Sequence, residues 1–416
     1  KYMKSPSRTM WEQPWRYAEA FAIPVALLLG AAGFEFVTGK AAPTISFPTN
    51  VVILLVLINA IILLHAASAK NTIIRWFSSI PASIGALTFF LAVSLIMALV
   101  PQQEHPHSLF LFYNVTSSWL YYVATGYLLI VLGMVSVRRL LPVSKKNIGF
   151  FLNHLGLWIT ITAATFGAGD IEKYTMSVRE GATEWRVMNT NNTIQELDFA
   201  IQLKDFEIEE YPSKIGFVDM RTGDVLEKNR KKAIFELDTI HGIRYNEYVI
   251  TIKTYYPTSM FYVQDYFPLS DIGATQSYYI EVTDTKRNKI YSDWIGAASM
   301  SQPAKYLVLP DSIAIVALQP EAKKFSSRIR LYTKEGSTTD TIVEVNKPIT
   351  CNSYTIYQTG YDENMGRWSE TSIFELVRDP WLPIVFAGIF MMIAGALYII
   401  WFGRTSKTKE NYVESI

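Results

Sequence analysis

The sequence predicts an α-helical polytopic membrane protein, with six transmembrane helices and a large, mostly antiparallel β domain outside the membrane. Three observations predict it. The 416 residues hold six apolar stretches of bilayer-crossing length, about 20 residues each as helix. Only 18% of residues are charged, where a soluble chain carries about a quarter, so part of the surface faces lipid. Between the fifth and sixth stretches, a segment of about 210 residues has strand period instead.

The six spans are Ala20–Val37, Val51–Ala69, Ala82–Val100, Trp119–Val137, Ile148–Ala168 and Leu382–Phe402. Hydrocarbon offers backbone N–H and C=O groups no partner, so each must be helical. Flanking charge orients them. Lys1, Lys4, Arg8 and Arg16 precede the first, and Lys70 and Arg75 follow the second. Arg138, Arg139, Lys145 and Lys146 fill the turn between the fourth and fifth, and Arg404, Lys407 and Lys409 follow the sixth. Of the 14 Lys and Arg outside Asp170–Asp379, only Lys40 falls on the other side. The positive-inside rule then puts both termini in the cytoplasm of a multi-pass cytoplasmic-membrane protein. The first apolar run is long and another follows at once, so it reads as a retained anchor rather than a signal peptide.

Residues 170–379 are therefore expected outside the cytoplasm. They hold 31 acidic and 24 basic residues, a net of −7, against +8 for the rest. Tyr248–Tyr256, Ser277–Val282, Lys305–Leu309, Ile313–Leu318, Arg328–Tyr332 and Thr341–Val345 have strand period and composition. Turn signals separate them at Thr222-Gly-Asp, Pro310-Asp and Lys334-Glu-Gly. A sandwich-like or barrel-like β domain follows. The expected organisation is residues 1–80 (tail and two helices), 81–169 (three helices), 170–379 (the β domain) and 380–416 (last helix and tail).

Composition excludes several functions. The single cysteine, Cys351, rules out a disulfide framework, a cysteine zinc site and an iron–sulfur cluster carried by this chain alone. A net charge of +1 argues against nucleic acid as a partner. No G-x-S-x-G, Walker loop, H-E-x-x-H or dinucleotide glycine fingerprint is present.

Two histidines remain as candidates. His154 lies in the fifth span, about six residues in, hence roughly 9 Å into the membrane. His65 lies about four residues before the cytoplasmic end of the second span. Ionisable groups at such depth face a bundle interior or a cavity. A neutral imidazole there is either hydrogen-bonded between helices or a ligand for haem iron, and position alone leaves both open. His105 and His107 read as a solvated loop, His241 as ordinary surface, and Cys351 as a structural thiol more readily than a reactive one. Trp11, Trp15, Trp119 and Trp381 read as interfacial anchors. Gly388 and Gly395 mark a face of the last span that packs closely against a helix, whether this chain's own or a partner's.

The stretch NKPITCNSYTIYQTGYDENMGRWSETSIFELVRDPWLPIVFAGIFMMIAGALYIIWFG, residues 346–403, carries the most specific pattern. Its N-x-P turn, Tyr357-Gln-x-Gly-Tyr-Asp, Gly366, Ser369 and Val377-x-Asp-Pro lead into a glycine-bearing helix, and they resemble the ResB (also CcsB) family of system II cytochrome c biogenesis. Pro81–Pro142 and Asn147–Thr183 resemble the family's helical part, and Leu203-x-Asp205-Phe206 through Tyr211-Pro212 is also similar. The resemblance implies a subunit of a haem lyase complex that helps to export haem and presents an apocytochrome C-x-x-C-H for covalent attachment. It implies a CcsA-type tryptophan-rich membrane partner, apocytochrome c and a thioredoxin-like thiol reductant. His154 matches the family's helix histidine and would be an axial ligand of the haem. The first two spans lie outside the resemblance, so His65 rests on its position alone, as the candidate for a second, in-chain ligand. A membrane-anchored protein-binding scaffold that never touches haem is the alternative reading.

Overall fold

A computed structural model describes residues 15–103, 110–140, 145–228, 231–236 and 242–413. His105, His107, His241 and Trp11 lie outside these residues. The chain divides into two units, Lys1–Ile171 with Asp379–Ile416, and Glu172–Arg378.

The first unit is helical: α1 (Tyr17–Thr38), α2 (Thr49–Ala67), α3 (Thr72–Trp76), α4 (Ile80–Leu99), α5 (Phe110–Tyr113), α6 (Trp119–Leu140), α7 (Lys145–Gly167) and α8 (Leu382–Val413). Six of these are long and apolar enough to cross a membrane. Their surfaces invert the soluble pattern: Leu29, Leu63 and Trp401 are 65, 69 and 78% exposed. Large apolar side chains exposed all along a helix have lipid as their solvent, and the chain is a multi-pass membrane protein.

Side-chain caps start the helices where the sequence supplies them. Ser79 Oγ accepts from Ala82 N–H at the head of α4, and Ser118 Oγ accepts from Tyr121 N–H at the head of α6. Asp379 Oδ1 accepts from the N–H groups of Trp381 and Leu382 at the head of α8. Gly39, in the left-handed region at φ 61°, closes α1 by donating to the Glu35 carbonyl.

The helix ends sort into two groups. At one, the starts of α1 and α4 meet the end of α6 and the first half of α7, around Arg138 and Arg139. At the other, the buried Glu35 carboxylate at the end of α1 accepts from Leu111 N–H and from Trp119 N–H at the start of α6. There too the Asn50 side-chain amide, at the start of α2, donates to the Phe166 carbonyl near the end of α7. The spans thus alternate in direction, and the basic connections gather at one end. α6 is the central helix; Leu120, Leu129 and Met134 are wholly buried.

α7 and α8 pack most closely. A Cβ on Gly156 would stand 2.6 Å from the Gly388 carbonyl oxygen and 2.7 Å from Met392 N, and one on Gly395 would stand 2.5 Å from Asn153 N. Gly388 and Gly395 are thus filled by this chain's own α7.

The second unit is β throughout and has two cores. An eight-stranded antiparallel sheet runs in the order Thr338–Glu344, Ala322–Thr333, Ile194–Glu210, Thr183–Asn189, Glu172–Arg179, Thr371–Arg378, Tyr354–Tyr361, Ile349–Cys351. Val343 at one edge and Ile356 near the other share a cluster with Ile201, Leu203 and Phe374, so the sheet curls over its own apolar face. The unit's first and last strands pair along their length, from Glu172↔Arg378 to Arg179↔Thr371. The second core lies between a five-stranded sheet built on Tyr248–Tyr262 and Thr275–Asp284 and a four-stranded one built on Ile215–Asp219 and Ile313–Ala317. Phe217, Tyr248, Tyr278 and Ile315 fill it. The strands expected from composition are present, most of them longer, and the expected turns fall at Gly223, Asp311 and Gly336, all at positive φ.

Candidate functional site

At the basic end of the helical unit a cleft of about 1160 Å³ opens between the starts of α1 and α4, the end of α6 and the first half of α7. That is above the roughly 300–1,000 Å³ usual for small-molecule sites. Ile84, Leu87 and Val135 supply an apolar wall, and Arg138, Arg139 and His154 its ionisable groups. Neither Asp nor Glu is among the lining residues.

His154 is half-buried, and its neighbours fix it in two ways. Nδ1 lies 3.0 Å from the carbonyl oxygen of Phe150, one turn earlier in α7. A carbonyl only accepts, so Nδ1 carries the proton and Nε2 holds the lone pair. The imidazole also stacks on the Phe150 ring at a centroid distance of 3.7 Å and 19°. The ring is thereby oriented with the nitrogen suited to ligate a metal left without a hydrogen bond among the described residues. The four-residue spacing on one helix face produces both contacts, and the Phe150-x-x-x-His154 pattern was the signal available in the sequence.

Arg139 places its guanidinium carbon 5.2 Å from the centre of the other partner in this stack, the Phe150 ring. Arg138 Nη1 donates to the carbonyl and the hydroxyl of Ser78, at 3.1 and 3.2 Å. Both arginines served the sequence reading only as orienting charges; the fold makes them walls of the cleft. Trp15, read as an interfacial anchor, lines it as well.

His65 sits in the last turn of α2 and does not line this cleft. Asn50 and Phe166 are hydrogen-bonded at 2.9 Å, and from them His65 and His154 lie 15 and 12 residues along their helices. At 1.5 Å per residue these are about 22 and 18 Å, so the two imidazoles share a level to within a turn. Among the described residues no three His, Cys, Asp or Glu come together as a metal site.

At the opposite end the Asp170 carboxylate joins three segments. It accepts from Phe47 N–H at 2.6 Å, from the Asn50 amide at 2.7 Å and from the Trp381 indole at 2.7 Å.

The β unit has a cleft of its own, about 450 Å³, lined by Glu210, Gln276, Met300, Arg367 and Trp368. Arg367 pairs with Glu210 at 2.6 Å and donates to the Pro257 carbonyl, and the Trp368 indole donates to the Ala274 carbonyl. The side chains of Glu210, Gln276, Arg367 and Trp368 each have a hydrogen-bond partner within the unit. Cys351 is half-buried, and burial together with the nearby Glu335 charge pushes its thiol pKa up. That holds the sulfur as a thiol rather than the nucleophilic thiolate.

Compared with known proteins, residues 270–370 match the model of the ResB-like family. No curated protein matches the chain.

Proposed function

We propose, from the premise that this is a ResB-like chain with a part in cytochrome c biogenesis, that it is the ResB-type subunit of a system II cytochrome c synthesis complex. In this reading the helical unit handles haem as cargo, with His154 Nε2 as an axial ligand to its iron. The β unit presents an apocytochrome C-x-x-C-H, so that its two thiols meet the haem vinyl groups. A CcsA-type membrane subunit and a thioredoxin-like reductant complete the machinery. The basic end of the bundle is cytoplasmic, and Glu172–Arg378 stands on the opposite side of the cytoplasmic membrane.

The observation that carries the reading is the Phe150 carbonyl taking the proton-bearing nitrogen of His154 inside a cleft of sufficient size. A half-buried imidazole has two nitrogens to place. Here one is bonded to its own helix, the other is left with its lone pair, and an apolar wall stands beside it. Such a nitrogen binds iron with no proton to displace. The apocytochrome role rests on proximity: two thiols held beside two vinyl carbons react at a high effective concentration.

The test is the absorbance spectrum of the complex purified with its CcsA-type partner. His154→Ala should lose the bound haem or shift its Soret band to that of a five-coordinate iron. Unchanged haem content and spectrum would remove His154 from the pathway. In that case the scaffold reading, in which the β unit binds protein without haem, would stand instead. A His65→Ala protein with a normal spectrum would dismiss the second in-chain ligand.

A further inference from the structure

The cleft beside His154 offers positive charge as well as a metal ligand. Arg138 and Arg139 both line it, and neither has a carboxylate within ion-pair distance among the described residues. Arg138 is held through one nitrogen by Ser78, which leaves its remaining N–H groups uncommitted there. Arg139 lies over the ring on which His154 stacks, so its guanidinium carbon is no more than about 9 Å from the centre of the imidazole. Ser78, Ser79 and Ile80 line the same cleft at the start of the 20-residue α4, whose N-terminal dipole adds partial positive charge. Two guanidiniums with no carboxylate partner among the described residues, in a cleft that also has an apolar wall, suit an amphipathic ligand with two carboxylates at one edge.

We infer that Arg138 and Arg139, backed by the N-terminus of α4, hold the two propionates of the porphyrin whose iron His154 ligates. This deepens the haem reading and rests on it. One consequence is directional. On the porphyrin the vinyl groups lie away from the propionates, so a clamp at the basic end turns the vinyl edge toward the far side of the bundle. The reactive edge then leads.

The test uses the purified full chain in nanodiscs, titrated with iron protoporphyrin IX and with its dimethyl ester, which keeps the iron and vinyls but has neutral side arms. The wild type should bind the diacid at least tenfold more tightly than the diester. Arg138→Gln with Arg139→Gln should weaken diacid binding by about tenfold or more, weaken diester binding by no more than the few-fold that loss of the Arg139–Phe150 contact accounts for, and keep the Soret position, as loss of hydrogen bonds to a charged group requires. Arg138→Lys with Arg139→Lys should recover part of the affinity, and thermal unfolding of each variant reports whether the fold survives. Equal affinity of the wild type for diacid and diester, or an unchanged diacid affinity in the double Gln variant, would overturn the clamp. Loss of the Soret position in His154→Ala but not in the double Gln variant separates the two readings, since the first tests the ligand and the second the arms. Repeating the titration with phosphatidylglycerol in place of phosphatidylcholine tests the competing source of the anion. If the arginine variants lose retained phosphatidylglycerol but no porphyrin affinity, the site takes a lipid phosphate and the inference fails.

Discussion

The indole Nε1 of Trp381 donates to Oδ2 of Asp170 at 2.7 Å, across 211 positions of sequence, and ties the start of α8 to the end of α7. The same carboxylate accepts from Phe47 and Asn50, so one side chain joins the α1–α2 connection, α7 and α8. Hydrogen bonds to a charged group are stronger than neutral ones, and these lie where α7 ends. Asp170→Ala should destabilise the helical unit by about 2–3 kcal/mol, and Trp381→Phe, which keeps the ring packed on Gly167, by about 1 kcal/mol. Thermal unfolding in detergent measures both. A double variant no worse than Asp170→Ala alone would show that the indole acts through this carboxylate, and strictly additive losses would show that it does not.

The α7–α8 seam makes a prediction with a built-in control. A methyl group on Gly156 or Gly395 meets backbone atoms of the facing helix, which cannot move aside without separating the helices. Gly156→Ala and Gly395→Ala should each cost about 1–3 kcal/mol, as overpacking does. Gly30 in α1 and Gly126 in α6 have nothing within 4 Å of the same position. There alanine should be neutral or stabilise by up to about 1 kcal/mol through helix propensity. If all four variants melted alike, close packing would not be what the two seam glycines provide.

How much of this was legible beforehand differs between the two units. Every span was readable because hydrocarbon admits only long apolar helices, a constraint acting on composition alone. The strands named in advance were those rich in β-branched and aromatic residues. Glu172–Arg179 and Ile194–Glu210 escaped because charged and other polar residues fill most of their outward positions, although Tyr174, Met176 and Val178 alternate inward. The site was half legible. His154 stood out as an ionisable residue in an apolar span, whereas the companionship of Arg138 and Arg139 depends on how α6 ends beside α4 and α7, a tertiary fact with no local signal. Glu35 and Asp170 were visible only as charges, since their partners lie 76 to 211 residues away.

Within the β unit, Arg367 and Glu210 form an ion pair at 2.6 Å with side chains 23 and 9% exposed. Removing one partner strands the other's charge away from water, which costs more than the pair itself contributes. Arg367→Ala should therefore destabilise this unit by about 1–3 kcal/mol, discounted for its partial exposure. Adding Glu210→Gln should restore part of the loss. Hydrogen exchange on the strand Ile194–Glu210 reads the effect locally. A double variant less stable than Arg367→Ala would contradict the account.

Acid should destabilise the β unit. Hydrogen bonds from Lys324 and then Lys347 hold the Glu344 carboxyl down from its ordinary 4.5 to about 2, and Arg186 does the same for Glu184. The folded state then binds these protons less readily than the unfolded chain. The stabilisation is complete above about pH 4.5 and is lost as pH falls toward 2. Melting temperatures between pH 6 and 2.5 should fall most steeply below pH 4.5, and Glu344→Gln with Glu184→Gln should flatten that slope. A slope unaltered by the double variant would assign the acid sensitivity elsewhere.

Phe150 holds His154 with two different parts, and a substitution can separate them. The carbonyl belongs to the backbone and survives Phe150→Leu, so Nδ1 keeps its acceptor and Nε2 remains the ligand. The ring does not survive, and with it go the 3.7 Å stack and the face beneath Arg139. Each such contact is worth about 0.5–1.5 kcal/mol, so iron protoporphyrin should bind several-fold more weakly with its Soret position unchanged. Titration of the purified full chain measures both quantities at once. A shifted band would mean that the ring, and not the carbonyl, decides which nitrogen meets the iron. An unaltered affinity would mean that the stack does not hold the imidazole in place.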